Sequence, residues 1–374
     1  MYLPSSFSEF LSNIRPTDAQ LKDYQDGHRT LRERMRQDKE ISGLRVADFL
    51  QGSYRRATAI RPHNDRKSDV DVVVATTIPE CPDVDAVASV FEAFLDRYTD
   101  YKGKHERKTH SISLSLAEVE IDLVITSAPS EAVETILALE SSRTLEVLNR
   151  PFDPADFLTP AVLDLGDARD SSSGEWKAEP LRVPNFDKDV ADDERWSSTD
   201  PLTQIAWTVD KNAECNWHYV NVVKALKWWR RTKCPTPKHP KGYPVEHIIG
   251  DYCPAGIGSV AEGVVETLER IHRCPTLQAC VVGGTTPFLK DRGIPEHNVW
   301  ARVDPDDFTK FMAQVEAAAI IARDAYDLED AKASGRRWHN LLGDPFPYDE
   351  DDGRSRISFS LATGSANPGP KRYG

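Results

Sequence analysis

No stretch of the 374-residue chain approaches the roughly 18 consecutive apolar residues of a membrane-spanning helix. The opening MYLPSSFSEFLSNIRPTDAQ lacks the basic stretch and apolar run of an export signal, so a cytoplasmic protein with no membrane partner is expected. A basic excess is missing as well. Lys and Arg number 47 against 60 Asp and Glu, a net charge of −13, and that field repels a polyphosphate backbone, which argues against an obligatory nucleic-acid partner. Cysteine is sparse: Cys81, Cys215, Cys234, Cys253, Cys274 and Cys280 are scattered, which reads as reduced thiols rather than a disulfide framework. His247-x5-Cys253 with Cys274-x5-Cys280 offers zinc-type ligands, but neither half has the C-x2-C or H-x3-H form of structural zinc, and buried thiols are the preferred reading. No internal repeat is present. With 39% hydrophobic and 29% charged residues the chain is globular, long enough for two or three folding units or one bilobed body.

From Thr17 to Gly43, Leu21, Tyr24, His28, Leu31 and Met35 recur at helical spacing between charged residues, predicting one amphipathic helix of about 25 residues. RVADFLQGSYRR reads as a strand ending in a Gly-Ser turn, SDVDVVVATT as a buried strand, ASVFEAFLDRY as a helix, and HSISLSLAEVEIDLVITS as one or two further strands. Residues 151–200, rich in Pro, Asp and Ser, read as a long loop with short elements. Beyond them the periodicity is helical, and the end, SFSLATGSANPGPKRYG, reads as a flexible tail. The expected division is 1–200, a catalytic lobe with the long helix and connecting loop, 201–355, a helical lobe, and 356–374, the tail.

On a strand, Asp69 and Asp71 point to the same side, about 6.5–7 Å apart along the backbone. The later strand puts Glu120 and Asp122 on the face opposite Ile121 and Leu123, so Asp122 joins the pair if the strands are neighbours. Three convergent carboxylates repel one another unless a cation offsets them, and Mg²⁺ with oxygen ligands and bound phosphates is the usual solution. Upstream, Gly52 allows close backbone approach and Ser53 offers a hydroxyl and an N–H to an anion, so QGSYRR is a plausible phosphate cradle. Gln51 begins that turn, and Arg55, Arg56, Arg61, His63, Arg66 and Lys67 put positive charge nearby.

Gly52-Ser53, Asp69-x-Asp71 and a distal Asp122 together resemble the polymerase-β-like nucleotidyltransferases. QGSYRRATAIRPHNDRKSDVDVVV, EVEIDLVIT, VVKALKWWRR with KGYPVEHII, and PFLKDRGIPEHNVWARVDPDDFTKFM narrow the resemblance to the bacterial cGAS/DncV-like nucleotidyltransferases (CD-NTases) of CBASS anti-phage defence. That resemblance implies an α+β, bilobed fold, a mixed-sheet lobe braced by a long N-terminal helix and packed on a helical lobe. It implies synthesis of a cyclic di- or trinucleotide messenger, foremost cyclic GMP–AMP from ATP and GTP, which activates a separate effector. It further implies Ser53 on the donor triphosphate, Asp69 and Asp71 on two Mg²⁺ ions (with Mn²⁺ as a substitute), Asp122 on the ion activating the attacking ribose hydroxyl, and Lys224 on the triphosphate tail. Lys227, one turn on, is a second candidate. Gly242 stands where some relatives have a serine.

A polynucleotide-extending transferase of poly(A)- or CCA-adding type is the alternative, against which stand the net charge and the missing RNA-binding module. An inactive scaffold is the other, against which stand the three aspartates. The C-terminal Gly374 suits a ubiquitin-transfer-like accessory protein that joins such a terminus to a target, an ordinary frayed end being the plainer reading. A monomer is expected.

Overall fold

The computed structural model describes residues 1–62, 67–80, 83–129, 132–133, 136 and 179–348. Gly374, His63, Arg66, Cys81 and the loop 151–178 therefore lie outside the described residues.

The single helix expected over Thr17–Gly43 is two. Helix α2 (Asp18–Gln37) starts in a reciprocal cap between Thr17 and Gln20 and ends at Asp38, whose carboxylate accepts the amides of Glu40 and Ile41 and so opens α3 (Lys39–Leu44). Sequence reasoning did not assign α1 (Pro4–Ile14), which the structure adds ahead of α2. Strand β1 (Arg45–Gln51) leads into a one-turn helix, α4 (Gly52–Arg55), followed by β2 (Ser68–Thr76), α5 (Val84–Asp96), β3 (His105–Arg107), β4 (Ile112–Ser115) and β5 (Val119–Ser127). Two short strands, β6 (Leu181–Pro184) and β7 (Trp196–Thr199), occupy the end of the expected long loop.

The sheet order is β1-β2-β5-β4-β3, with β6 on β5 and β7 on β6. β2 and β5 run parallel and the other pairings are antiparallel. The alternation of β2 explains its central place. Val70, Val72 and Val74 face a core with Tyr24, Leu31, Phe91 and Phe94 of α2 and α5, while Val73 and Ala75 face a second cluster that includes Leu202 and Ile205. Asp48 of β1 is buried against α2, where Arg32, Arg36 and Arg45 converge on its carboxylate.

The rest is helical: α6 (Pro201–Glu214), α7 (Tyr219–Thr232), α8 (Tyr243–Tyr252), α9 (Val260–Arg273), α10 (Pro275–Gly283), α11 (Pro305–Asp327) and α12 (Ala331–Leu342). The helical periodicity beyond residue 200 is interrupted between α6 and α7, where Asn216 and Trp217 take positive φ of 51° and 66°. Trp228 and Trp229 are both buried in this body, and the Trp228 indole donates to the Leu342 carbonyl at 3.1 Å. Helix α1 packs here too, with Phe7, Phe10, Leu11 and Ile14 in the helical core rather than on the sheet. Phe7 meets Trp338 and Phe346 edge-on at 4.9 and 5.1 Å. Among the described residues no helix is long and apolar enough to cross a membrane.

Candidate active site

The register of two strands builds the centre. Asp71 pairs with Asp122 and Asp69 with Glu120 across the parallel β2–β5 ladder, so four carboxylates share one face. Gln51, last in β1, pairs with Asp71. The chain then turns sharply at Gly52, with φ of 72°, and a Cβ there would lie 1.8 Å from Asp71 Oδ2. Only glycine combines that φ with that approach. Ser53 follows in the same turn, so Gln51, Gly52, Ser53, Asp69, Asp71 and Asp122 come together.

The carboxylates feel one another. Burial, then the charge of Asp122, push the Asp71 carboxyl up to about 7 against an opposing pull from Arg56. Asp69 is raised by burial and by Asp122 and Glu120, partly countered by Lys108 and Lys241. Lys108 was not singled out from the sequence. It lies in the β3–β4 turn, and its ammonium reaches Glu120 Oε1 at 2.6 Å and Asp122 Oδ1 at 3.2 Å. Ser113 donates to Glu120 at 2.6 Å. Burial disfavours the Lys108 charge, yet Glu120 and Asp122 raise its pKa on balance. Lys241, just before α8, was also missed. A lone lysine in a loop gives no sign of the strand it will face.

Among the described residues no three His, Cys, Asp or Glu side chains already form a metal-holding group. The donor set nonetheless fits a hard divalent cation: carboxylate oxygens only, on one face, with a half-buried member whose charge is destabilised by its neighbours. Lys108 partly neutralises that face as it stands. The zinc-type residues are used otherwise. His247 lies 3.6 Å from Asp251, Cys253 Sγ is 3.9 Å from Cys215 Sγ, and Tyr252 donates to Cys274 at 3.1 Å.

Behind the turn, Arg56 and Thr58 cross to the helical body, where both bind the buried carboxylate of Glu246 at 2.7 Å. Lys227 donates to the Thr58 carbonyl at 3.0 Å and stands 3.5 Å from Glu246. Lys224 lines a separate cavity with Arg15, Tyr54 and Arg61, and none of Ser53, Asp69, Asp71 and Asp122 is in its wall. Tyr54 packs edge-on against Tyr24 at 5.7 Å. Arg61 donates to the Arg15 carbonyl, and Lys67 to Ser115.

Residues 1–128 match the family model for the Second Messenger Oligonucleotide or Dinucleotide Synthetase domain. The chain is 38% identical over 387 residues to the cyclic AMP-AMP-GMP synthase of Enterobacter hormaechei subsp. hoffmannii, covering 98% of both. Its fold is similar to that of the CD-NTase CdnG of Bradyrhizobium diazoefficiens, solved in complex with GTP (TM-score 0.62, 13% identity, 91% of this chain and 94% of that one). It is similar also to Escherichia coli MS115-1 CdnC, solved in a complex with HORMA-deltaN (TM-score 0.61, 13% identity, 92% and 98%).

Proposed function

The chain belongs to the bacterial cGAS/DncV-like nucleotidyltransferases, the CD-NTases of anti-phage defence, and from that membership we propose that it condenses ATP and GTP into a cyclic oligonucleotide. The observation that carries the site assignment is the in-register pairing of Asp71 with Asp122, with Asp69 one step along the same face and the Gly52 backbone pressed against Asp71.

In this reading Asp69, Asp71 and Asp122 would hold two Mg²⁺ ions, which when bound would supply charge neutralisation and a more acidic ribose hydroxyl. The protein's part is placement. The Ser53 hydroxyl and the turn it sits in face the β- and γ-phosphates of the donor. Lys241, whose charge bears on Asp69, faces the triphosphate from the helical side. We assign the tail to this pair rather than to Lys224, and Lys227 to anchoring Thr58 and Glu246. The 2′ or 3′ hydroxyl of the acceptor gives up its proton to solvent water and attacks the donor α-phosphorus. One P–O bond forms, the bond to pyrophosphate breaks, and pyrophosphate leaves. Repetition ends when the free hydroxyl of the linear intermediate attacks its own 5′ α-phosphorus.

The name of the 38%-identical relative favours a three-base product with two adenines and one guanine over cyclic GMP–AMP. The messenger's effector and any accessory protein acting at Gly374 belong to the same proposal, as does a cytoplasmic location, where nucleoside triphosphates are available. The test is to incubate the protein with all four nucleoside triphosphates and Mg²⁺ or Mn²⁺, digest with phosphatase and weigh what survives. A phosphatase-resistant cyclic product absent from Asp69→Ala/Asp71→Ala is expected. A phosphatase-trimmed linear oligomer would support the polynucleotide-extending alternative instead.

A further inference from the structure

A nucleoside triphosphate approaching the chain is a polyanion moving toward a net charge of −13, and its destination is a sheet face that carries Asp69, Asp71, Glu120 and Asp122. Both fields repel it. A local positive potential is gathered where α7 joins α8, in the loop 233–242. The loop is held from inside. Gln314 of α11 donates to the Thr236 carbonyl at 2.6 Å, the Arg230 guanidinium of α7 donates to the Cys234 and Pro237 carbonyls, and Pro237 and Pro240 are buried. Lys238 and Lys241 on the same loop are exposed, as is Arg302 just before α11.

These cations are neighbours. Burial first, then the charges of Lys241 and Lys238 and, more weakly, that of Arg302 lower the pKa of His239, with Asp307 of α11 pulling the other way. One end of the group reaches the metal face. The charge of Lys241 bears on Asp69, and Tyr243, two residues on, has the guanidinium of Arg56 4.9 Å from its ring centre, the same Arg56 whose charge bears on Asp71. Lys238 and Arg302 extend the group from there, and among the described residues neither has an ion-pair partner to cancel its charge. Of the acids at the start of α11, Asp304 is engaged in capping that helix, accepting the Asp307 amide at 2.8 Å, and Asp306 is exposed.

We infer that Lys238 and Arg302, continuing outward from Lys241, form an electrostatic approach path that steers nucleoside triphosphate from solvent into the cleft, setting how fast it arrives rather than how tightly it is held. The inference rests on the nucleotidyltransferase reading of the site and adds the step that precedes its chemistry. Exposed charges suit that task. Solvent screens them too well for a large contribution to a bound complex. At low ionic strength, however, they act over a Debye length of about 10–30 Å and raise the association rate of an oppositely charged ligand by about 10-fold or more. The anchored loop keeps that potential in one place, so no segment has to be ordered when the ligand comes.

The experiment is stopped-flow fluorescence of the full chain mixed with ribose-labelled N-methylanthraniloyl-ATP and Mg²⁺, at ionic strengths of about 20 mM and about 500 mM. In Lys238→Gln/Arg302→Gln the association rate constant should fall about fivefold at the lower ionic strength and converge on wild type at the higher. The dissociation rate constant, and turnover at saturating ATP and GTP, should not change. Lys238→Arg/Arg302→Lys, which keeps both charges, should bind at the wild-type rate, and Asp307→Asn, which removes the opposing acid, should bind faster. An association rate equal to wild type at low ionic strength would overturn the inference. So would a deficit that persists at high ionic strength, one confined to dissociation, or one shared by the charge-keeping variant. A wild-type chain that binds no triphosphate would overturn the nucleotidyltransferase reading beneath it.

Discussion

Gly52 and Asp71 are in such close approach that the smallest added side chain has nowhere to go: a Cβ at 1.8 Å from Asp71 Oδ2, on a backbone with φ of 72°, must displace either the phosphate turn or the carboxylate. Gly52→Ala is therefore expected to reduce turnover by about 100-fold or more, the scale of a misplacement near 1 Å, while the three apolar clusters, none of which includes Gly52, keep the protein folded. Product formation beside a circular dichroism spectrum measures both. Lys108 gives the opposite kind of prediction. Its ammonium, 2.6 Å from Glu120 and 3.2 Å from Asp122, competes for the face a metal ion would take. Lys108→Met should tighten nucleotide-free Mn²⁺ binding about tenfold, the equivalent of about 1.4 kcal/mol of released competition, read directly by electron paramagnetic resonance. Unchanged or weaker Mn²⁺ binding would mean that the lysine does not guard the site.

At the scale of elements, Glu246 of α8 ties the segment behind the phosphate turn to the helical body. Burial alone would raise its carboxyl, but Arg56 and Lys227, with hydrogen bonds from Arg56 and Thr58, hold it down at about 2. Breaking a buried pair from one side leaves the other charge uncompensated, so Glu246→Ala should cost about 3–5 kcal/mol in urea unfolding. The pH dependence follows from the depressed pKa. The stabilisation is complete above the ordinary value of 4.5 and is lost as pH falls toward 2, amounting to about 3 kcal/mol, and the wild-type acid transition should be shallower in Glu246→Gln. The elements themselves were unequally legible. Alternation exposed β5, whose first half is buried at every second residue, while β1 and β2 were legible as short apolar runs because they are buried on both faces. The boundary between α2 and α3 was hidden because Asp38, which caps one helix and ends the other, sits within a continuing apolar period. Helix α1 was missed because its four buried residues, Phe7, Phe10, Leu11 and Ile14, have their partners more than 200 residues away, in α7 and beyond α12. The same long reach hid Lys241: sequence spacing orders residues along a helix or loop but does not say which strand they will meet.

For the whole molecule, three apolar clusters build the body, and the interior strands β2 and β5 carry the charged face of the sheet at a cost to its own stability. Asp71, half-buried beside Asp122 and raised to about 7, is destabilising when ionised in the absence of a cation. Its pKa lies above the ordinary carboxylate value, so the penalty is absent below pH 4 and grows as pH rises through 7. Asp71→Asn should accordingly raise the melting temperature in metal-free buffer at pH 8 while abolishing product, and a fall in melting temperature would contradict the strain assigned to this face. The most direct test of the central claim is stoichiometric. With ATP and GTP, cyclisation releases one pyrophosphate for every nucleotide incorporated, whereas a linear chain of n nucleotides releases n − 1 and keeps a 5′ triphosphate. Measured together by radiolabel and mass spectrometry, the account predicts a ratio of one, lost in each of Asp69→Asn, Asp71→Asn and Asp122→Asn. A ratio below one with a retained triphosphate, or turnover that survives loss of any of the three aspartates, would contradict it.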